Sequence, residues 1–399
     1  MPTLLQIDSC LGIGSTGRIT ESIGNLAMSR GWDCYIIHGA RYVKHGTRMH
    51  SVQVGNKLNE YAHFAESLLF DNHGLGSRQA TKRVIEIIKE INPDIIQLHC
   101  IHGYYINYKL LFEYLNSTNI PIVWTFHDCW AFTGHCSHFI RADCMKWNTG
   151  GCHECPLLDE YPKSISDRTK RNFRLKKNLF GSNPNMHIVA VSKWLADFTK
   201  ESFLGDKDIR IINNGIDIDC FRPYPKKNDA HFRVIGVATS WTKDKGLYDF
   251  YELREHLDEN VLITLVGLTQ KQILQLPEGI TGIARTDSVE ELAKLYSEGD
   301  VFVNPTYADS FPTVNMEALA CGTPVITYKT GGSPEIIDQH TGIVVEQGDV
   351  NGLVNGIEHL RQSKIAASVC RNRAVERYNR DDLFMNYITL YEELLKGKN

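Results

Sequence analysis

The sequence predicts an α/β protein of two doubly wound, Rossmann-like domains, and three observations carry that expectation. Short apolar stretches alternate with longer segments of helical period along the whole chain. The alternation runs through two rounds, broken once by a polar stretch with two prolines at 222–229. At 399 residues the chain also exceeds what one hydrophobic core usually serves. Alternating β and α implies parallel sheets covered by helices on both faces, with ligands bound beyond the carboxyl ends of the strands.

In the first round the strand candidates are residues 3–8, 34–38, 94–98, 122–126 and 187–191, with helical periods over 17–30, 77–91 and 104–117. The second round offers strands at 233–238, 261–266, 301–304, 324–327 and 342–345, and helices at 246–257, 289–298 and 312–321. Domains are therefore expected at 1–222 and 223–399. An amphipathic segment at 381–395 lies beyond the second sheet and is a candidate to pack back on the first domain.

Composition narrows the function. Hydrophobic residues are 42% and charged residues 23%, the balance of a globular protein. Lys plus Arg is 43 against 47 Asp plus Glu, so the basic surplus of a nucleic-acid binder is missing and no nucleic-acid partner is expected. Any anion must be held by local charge. The first apolar run is broken by Gln6 and ended by Asp8, with no basic start, which reads as a strand and not a signal peptide. No apolar run reaches about 18 residues, so no transmembrane helix is expected. Eleven cysteines in such a chain read as reduced thiols, and a cytoplasmic location follows as the expectation.

Directly after the first strand, Gly12, Gly14 and Gly17 satisfy the G-x-G-x-x-G pattern and open a helix. Backbone N–H groups at such a helix start attract phosphate. A dinucleotide oxidoreductase also needs an acid at the end of the second strand to hold the ribose; here that strand ends His38, Gly39, Ala40, Arg41. Arg41 suits a 2′-phosphate. On this loop alone an NADP-linked oxidoreductase, another phosphorylated ligand and a plain tight turn all stay open.

The second half is more specific. A strand ends at Asn304, a loop carries Asp309, and a helix is expected to start around Phe311 and Pro312. Proline is tolerated in the first helical turn because its missing N–H would be unpaired there. The N–H groups of Thr313, Val314 and Asn315 would then face an anion, and Glu317 would follow little more than one turn later. Cβ vectors tilt toward the helix N-terminus, so both carboxylates can face one pocket beside a phosphate. That arrangement suits a ligand with sugar hydroxyls and a diphosphate. A capped helix with an exposed acid in its loop is the plainer reading.

At these residues the chain resembles the family-four retaining glycosyltransferases, whose GT-B fold has two doubly wound Rossmann-like domains facing a cleft. Asp309 and Glu317 match the family's E-x7-E signature. Other matches follow in order: Gly14 to Gly17, His127 with Asp128, Ser192 opening a helix, Asn213 to Asp217, Lys245 with Gly246, and Gly331, Gly332 and Glu335. Within the family the chain is most similar to bacterial exopolysaccharide and capsule transferases of the colanic-acid type. The departures are Asp309 in place of the usual Glu, and no Arg before Lys245, where Lys243 is the available substitute.

The resemblance implies a UDP- or GDP-hexose donor and a saccharide or lipid-linked saccharide acceptor. It implies Glu317 on the donor ribose, Asp309 on the hexose, and Lys245 with the helix N–H groups on the diphosphate, beside Phe311. Gly17 would admit the phosphates, His127 would contact the sugar across the cleft, and Gly14, Arg18, His102 and Asp128 would serve the acceptor. The anomeric configuration would be retained, by same-face attack and without a catalytic metal. A sugar-binding relative without catalysis is the alternative that the two departures motivate.

Two segments fall outside these motifs. Cys136, Cys144, Cys152 and Cys155 have ligand types and an end spacing suited to structural zinc, and the long loop they occupy needs something to hold it. Free thiols and redox chemistry are the other readings. Six cations without an acid run from Arg168 to Lys177, which suits peripheral contact with anionic headgroups at the inner face of the plasma membrane, a pyrophosphate-linked acceptor, or a solvated helix face.

Overall fold

The computed structural model describes residues 1–44, 46–226 and 230–397. The chain forms two compact units, Met1–Asn213 with Phe384–Asn399, and Asn214–Leu383. The division falls ahead of the 222–229 stretch, whose residues 227–229 lie outside the described residues.

Among the described residues, the first unit is built on a seven-stranded sheet. Its strands are β1 (Thr3–Leu11), β2 (Asp33–Val43), β3 (His50–Gln53), β4 (Ile95–Leu98), β5 (Ile122–Phe126), β6 (Met186–Ala190) and β7 (Asp208–Ile211). They lie in the order β3-β2-β1-β4-β5-β6-β7 and every neighbour is parallel. The order reverses between β1 and β4, and at such a point the loops after the strands diverge and leave a crevice. Helices cover both faces, so β4 and β5 are buried along their whole length, which is why they read as continuous apolar runs.

The second unit holds β8 (Phe232–Val237), β9 (Val261–Val266), β10 (Ile280–Ile283), β11 (Val301–Asn304), β12 (Val325–Tyr328) and β13 (Gly342–Val345). The order is β10-β9-β8-β11-β12-β13, again all parallel, with the reversal between β8 and β11. Val234, Ile263, Val303 and Ile326 from its central strands share one buried core.

The expected strands all appear, four of them with the expected ends and the others with ends shifted by up to five residues. Three others, β3, β7 and β10, were not expected. Each lies at a sheet edge and is largely exposed or half-buried, so it carries no apolar run to read. The C-terminal helix Arg380–Lys396 contributes its part from Phe384 onward to the first unit. There the Tyr391 hydroxyl donates to Gln97 Oε1 at 2.6 Å, and Trp32 meets the Tyr391 ring edge-on at 5.5 Å. No helix among the described residues is long and apolar enough to cross a membrane.

Candidate active site

In the second unit the loop after β11 and the helix Thr313–Ala320 place the signature residues. Pro312 precedes the helix as its N-cap, at φ −69 and ψ 117, so it stands one position earlier than expected and offers no side-chain cap. The Asn315 N–H donates to the Pro312 carbonyl at 3.3 Å. The helix's uncapped donors are therefore those of Thr313 and Val314, and not the expected three. Phe311 is buried, and its carbonyl accepts from Asn214 Nδ2 at 3.1 Å, which fixes the approach to the helix.

Asp309 Oδ2 accepts Lys245 Nζ at 2.7 Å, and Oδ1 accepts the Phe311 N–H at 3.2 Å. Lys245 comes from a short turn after β8, and backbone packing sets its position. Gly246 has φ +72, and a Cβ there would lie 2.3 Å from the Pro305 carbonyl. The Tyr307 N–H donates to Asp244 O at 2.8 Å, joining the same two loops. On the other side, Gly331 has φ +54, and a Cβ would stand 1.8 Å from the Asp309 carbonyl oxygen. Only glycine permits both approaches. Lys243, the substitute considered for the missing Arg, is exposed in the same turn.

Glu317 is 4% exposed, and its Oε2 accepts the Tyr296 hydroxyl at 3.0 Å. It does not share the Asp309–Lys245 pair. Four buried polar atoms nearby in sequence have no protein partner: Ser310 Oγ, Asn315 Nδ2, Thr330 Oγ1 and Ser333 Oγ. Buried polar groups are normally satisfied, so these side chains, on the segments that follow β11 and β12, are candidates to bond a polar ligand. Asp249 escaped the sequence reading. It accepts Tyr307 Oη at 2.8 Å and Tyr328 Oη at 2.6 Å, bracing the loop that carries Asp309. An acid in line with Leu253 and Leu257 on the buried stripe of its helix was the available signal.

In the first unit, Gly12 and Gly14 take φ +66 and +70 before the helix Gly14–Ser29, whose N-cap Ile13 supplies no side-chain cap. A Cβ on Gly17 would meet the Gly12 nitrogen at 3.1 Å and Cys10 Sγ at 3.4 Å, whereas one on Gly14 would meet nothing within 4 Å. Glycine at 17 thus serves the closure of the loop itself, and the open side is at Gly14. Arg18 is exposed, its Nε donating to the Gly14 carbonyl at 3.1 Å. Arg41, the candidate for a 2′-phosphate, pairs with the buried Glu60 at 2.6 Å, so its charge is already answered.

His127 follows β5, half-buried, with Nε2 3.1 Å from His99 Nδ1. Burial lowers its pKa to about 4, so it is a neutral imidazole near pH 7. His102 Nε2 lies 3.1 Å from Asp128 Oδ2, and its Nδ1 3.3 Å from the Tyr161 hydroxyl. Burial acts to raise the Asp128 carboxyl, but neighbouring His102, with help from the Trp130 N–H, outweighs it and holds the pKa at about 2. His102 and Asp128 are thus brought together as one hydrogen-bonded pair; His127 belongs to a separate pair with His99.

The cysteine loop carries free thiols. None of the eleven cysteines is in a disulfide. Among the described residues no three His, Cys, Asp or Glu side chains converge as a metal site requires. The Cys136 and Cys155 thiols bond to each other, an interaction that lowers Cys155 to about 7, while Cys152 Sγ accepts the Gly134 N–H at 3.1 Å. Cys144 is half-buried. Apolar packing holds the loop: Phe132, Phe139 and Trp147 are buried and pack against one another at tilted or edge-on angles, with Phe198 against them. Of the six cations of the basic segment, Lys176 turns inward. Its Nζ donates to the carbonyls of Trp130 and Thr133 at 2.6 and 3.1 Å, 3.5 Å from the Trp130 ring centre, and burial lowers its pKa to about 7.

Known proteins place this arrangement in a family. The model for Glycosyltransferase Family 4 matches residues 17–220, and that for Glycosyl transferases group 1 matches residues 231–363. WcaC of Escherichia coli strain K12, named as a colanic acid biosynthesis glycosyl transferase, is 24% identical over 417 residues, covering 98% of this chain and all of that protein. Two solved structures share the fold at 16% identity. They are sucrose-phosphate synthase from Thermosynechococcus elongatus, TM-score 0.74 over the whole of both chains, and Anabaena HepE in complex with UDP and glucose, TM-score 0.68 over 98% of this chain and all of that one. With two doubly wound sheets and a family model matched over half its length, the chain belongs to glycosyltransferase family 4.

Proposed function

We propose that this glycosyltransferase moves a hexose, with retention, from a UDP- or GDP-hexose to a saccharide or lipid-linked saccharide in exopolysaccharide or capsule assembly. The observation that carries the reading is the Asp309–Lys245 pair, placed just ahead of the two uncapped N–H groups of Thr313 and Val314. The presence of UDP and glucose in HepE, and the naming of WcaC for colanic acid, support it.

In this reading the diphosphate draws Lys245 away from Asp309 and accepts the Thr313 and Val314 N–H groups. The freed carboxylate then accepts hydrogen bonds from the hexose, and Glu317 accepts from the ribose. The anomeric carbon–phosphate bond breaks as the bond to the acceptor oxygen forms on the same face, and the departing phosphate takes the acceptor's proton. Lys245 and the helix end stabilise the negative charge that develops, the largest contribution in sites of this kind. The neutral His127 contacts the sugar, Gly14, Arg18, His102 and Asp128 serve the acceptor, and Gly17 acts only by closing the glycine loop. The exposed basic residues Arg168, Lys170, Arg171, Arg174 and Lys177 hold the enzyme peripherally at a membrane.

Turnover with a panel of UDP- and GDP-hexoses, with and without EDTA, tests the reading. Transfer from one donor, undiminished by EDTA and with the anomeric configuration retained in the product, is expected. Binding of a donor without turnover would favour a non-catalytic relative, and loss of activity in EDTA would overturn the metal-free mechanism.

A further inference from the structure

The Lys57–Phe70 helix has its polarity reversed. Its buried residues are Glu60, His63 and Ser67, at i, i+3 and i+7 along one stripe. Glu60 is 2% exposed and receives Arg41 Nε at 2.6 Å as well as the Ala40 N–H. His63 Nε2 accepts the Gly76 N–H at 3.0 Å, and its Nδ1 lies 2.9 Å from the Ser77 hydroxyl. Asp71, which ends the helix, bonds His135 at 2.7 Å and accepts the Arg168 N–H at 2.9 Å. These bonds hold the polar stripe inside. The apolar residues are left outside: Leu58, Tyr61, Ala65 and Leu69 recur at i, i+3, i+7 and i+11. Leu58 is 76% exposed and Tyr61 57%. Beside the last turn, the Ile165 N–H donates to Leu68 O at 2.8 Å while its side chain stays 70% exposed. A contiguous apolar face left in water is unfavourable until something covers it.

The surrounding charge selects the cover. Lys163, Arg168, Lys170, Arg171, Arg174 and Lys177 are all exposed on the segment packed against the end of this helix. The Arg168 guanidinium lies 5.6 Å from the Phe70 ring centre, joining the two surfaces. From 163 to 177 the sole acid is Asp167, and its carboxylate is occupied by the N–H groups of Cys155 and Thr169 and the Thr169 hydroxyl. A second copy of the chain would bring the same cations together. An anionic bilayer offers depth for the apolar stripe and negative headgroups for its border. We infer that this face docks on an anionic lipid surface, with the Lys57–Phe70 helix lying in the interface. The inference extends the peripheral contact proposed for the basic segment and rests on that part of the reading; the donor-site roles of Asp309 and Glu317 are not involved.

Flotation of the full chain with phosphatidylcholine vesicles, with and without phosphatidylglycerol, is the test. The chain floats with the anionic vesicles at low salt. Retention falls at least about tenfold for Leu58→Glu/Leu69→Glu and for Lys170→Glu/Arg174→Glu. All four positions are exposed, so both variants keep the thermal unfolding of the parent and the thermal shift that the donor induces. Loss of vesicle binding is thereby read separately from loss of donor binding. Failure of the unaltered chain to float with anionic vesicles overturns the inference. So does flotation that Leu58→Glu/Leu69→Glu leaves intact, which would assign binding to the basic segment alone. A dimer in sedimentation that Leu58→Glu/Leu69→Glu abolishes would name a second copy as the occupant, and also overturns it.

Discussion

Lys245 and Glu317 carry charge in different surroundings, and the difference decides what each substitution does. The Lys245–Asp309 pair is partly exposed on both sides, so water screens it and its worth to stability is about 1 kcal/mol or less. Lys245→Met is therefore expected to leave the urea midpoint nearly unchanged while lowering kcat at least about a hundredfold, through lost leaving-group stabilisation. A variant that loses stability instead would show the pair to be structural. Glu317 is buried and holds the Tyr296 hydroxyl. Alanine there leaves a cavity and an unpaired hydroxyl, so weak activity of Glu317→Ala alone confounds folding with binding. Glu317→Gln keeps an acceptor for Tyr296 and removes only the charge. Its kcat/KM should fall at least about a hundredfold, close to 3 kcal/mol of transition-state stabilisation, with unfolding little changed. Activity near that of the unaltered enzyme would remove Glu317 from the donor site.

The loop after β11 shows why an element is placed by its neighbours. Tyr307 and Tyr328 both donate to Asp249, a residue of the Leu247–His256 helix. Asp249→Ala would leave two tyrosine hydroxyls without their acceptor. It should cost about 2–4 kcal/mol in urea unfolding and raise the donor KM by loosening the loop that carries Asp309. Tyr307→Phe should give a smaller loss, since Tyr328 keeps the carboxylate satisfied; equal losses in the two variants would show that Tyr307 alone matters. The order of β11, loop and helix was legible in residues 301–321, because an apolar strand, a proline and an apolar helix follow one another there. That Pro312 stands before the helix and not in its first turn was not legible, since proline suits both positions. The Lys57–Phe70 helix was missed although Leu58, Tyr61, Ala65 and Leu69 recur at helical spacing. Its inward stripe of Glu60, His63 and Ser67 is polar, and so the segment lacks the alternation with buried apolar residues that marks a packed helix.

Across the whole molecule, buried histidines set the acid response. Burial lowers His63 and His127 to about 4 from an ordinary value of 6.5, and His73 and His99 well below theirs. On unfolding below pH 6.5 these four take up protons that the folded chain refuses, so their contribution is present above pH 6.5 and lost as pH falls. Asp8 opposes them. Burial raises it to about 6 from 3.8, so its contribution is present at low pH and lost as pH rises through 6. Four histidines against one carboxyl leave a net uptake of about three protons on unfolding near pH 5.5. Stability should accordingly fall from pH 7 to pH 5.5, and urea unfolding at the two values checks it. Stability that rises over that interval would mean that these histidines are charged in the folded state.

Strand and helix order and the position of the loop that carries Asp309 were readable because each depends on local pattern, and the reaction class was readable through the ordered motifs that resemble a family. Apolar runs form central parallel strands wherever helices cover both faces, and a carboxylate, a proline and an uncapped helix start form one continuous stretch. Pairings between distant segments had no such signature. Asp309 with Lys245, Glu317 with Tyr296, Asp249 with two tyrosines and His102 with Asp128 are separated along the chain and meet only where strands run side by side. The edge strands and the outward apolar face of the Lys57–Phe70 helix belong to the same class, because burial is a property of the packed fold and not of the residue.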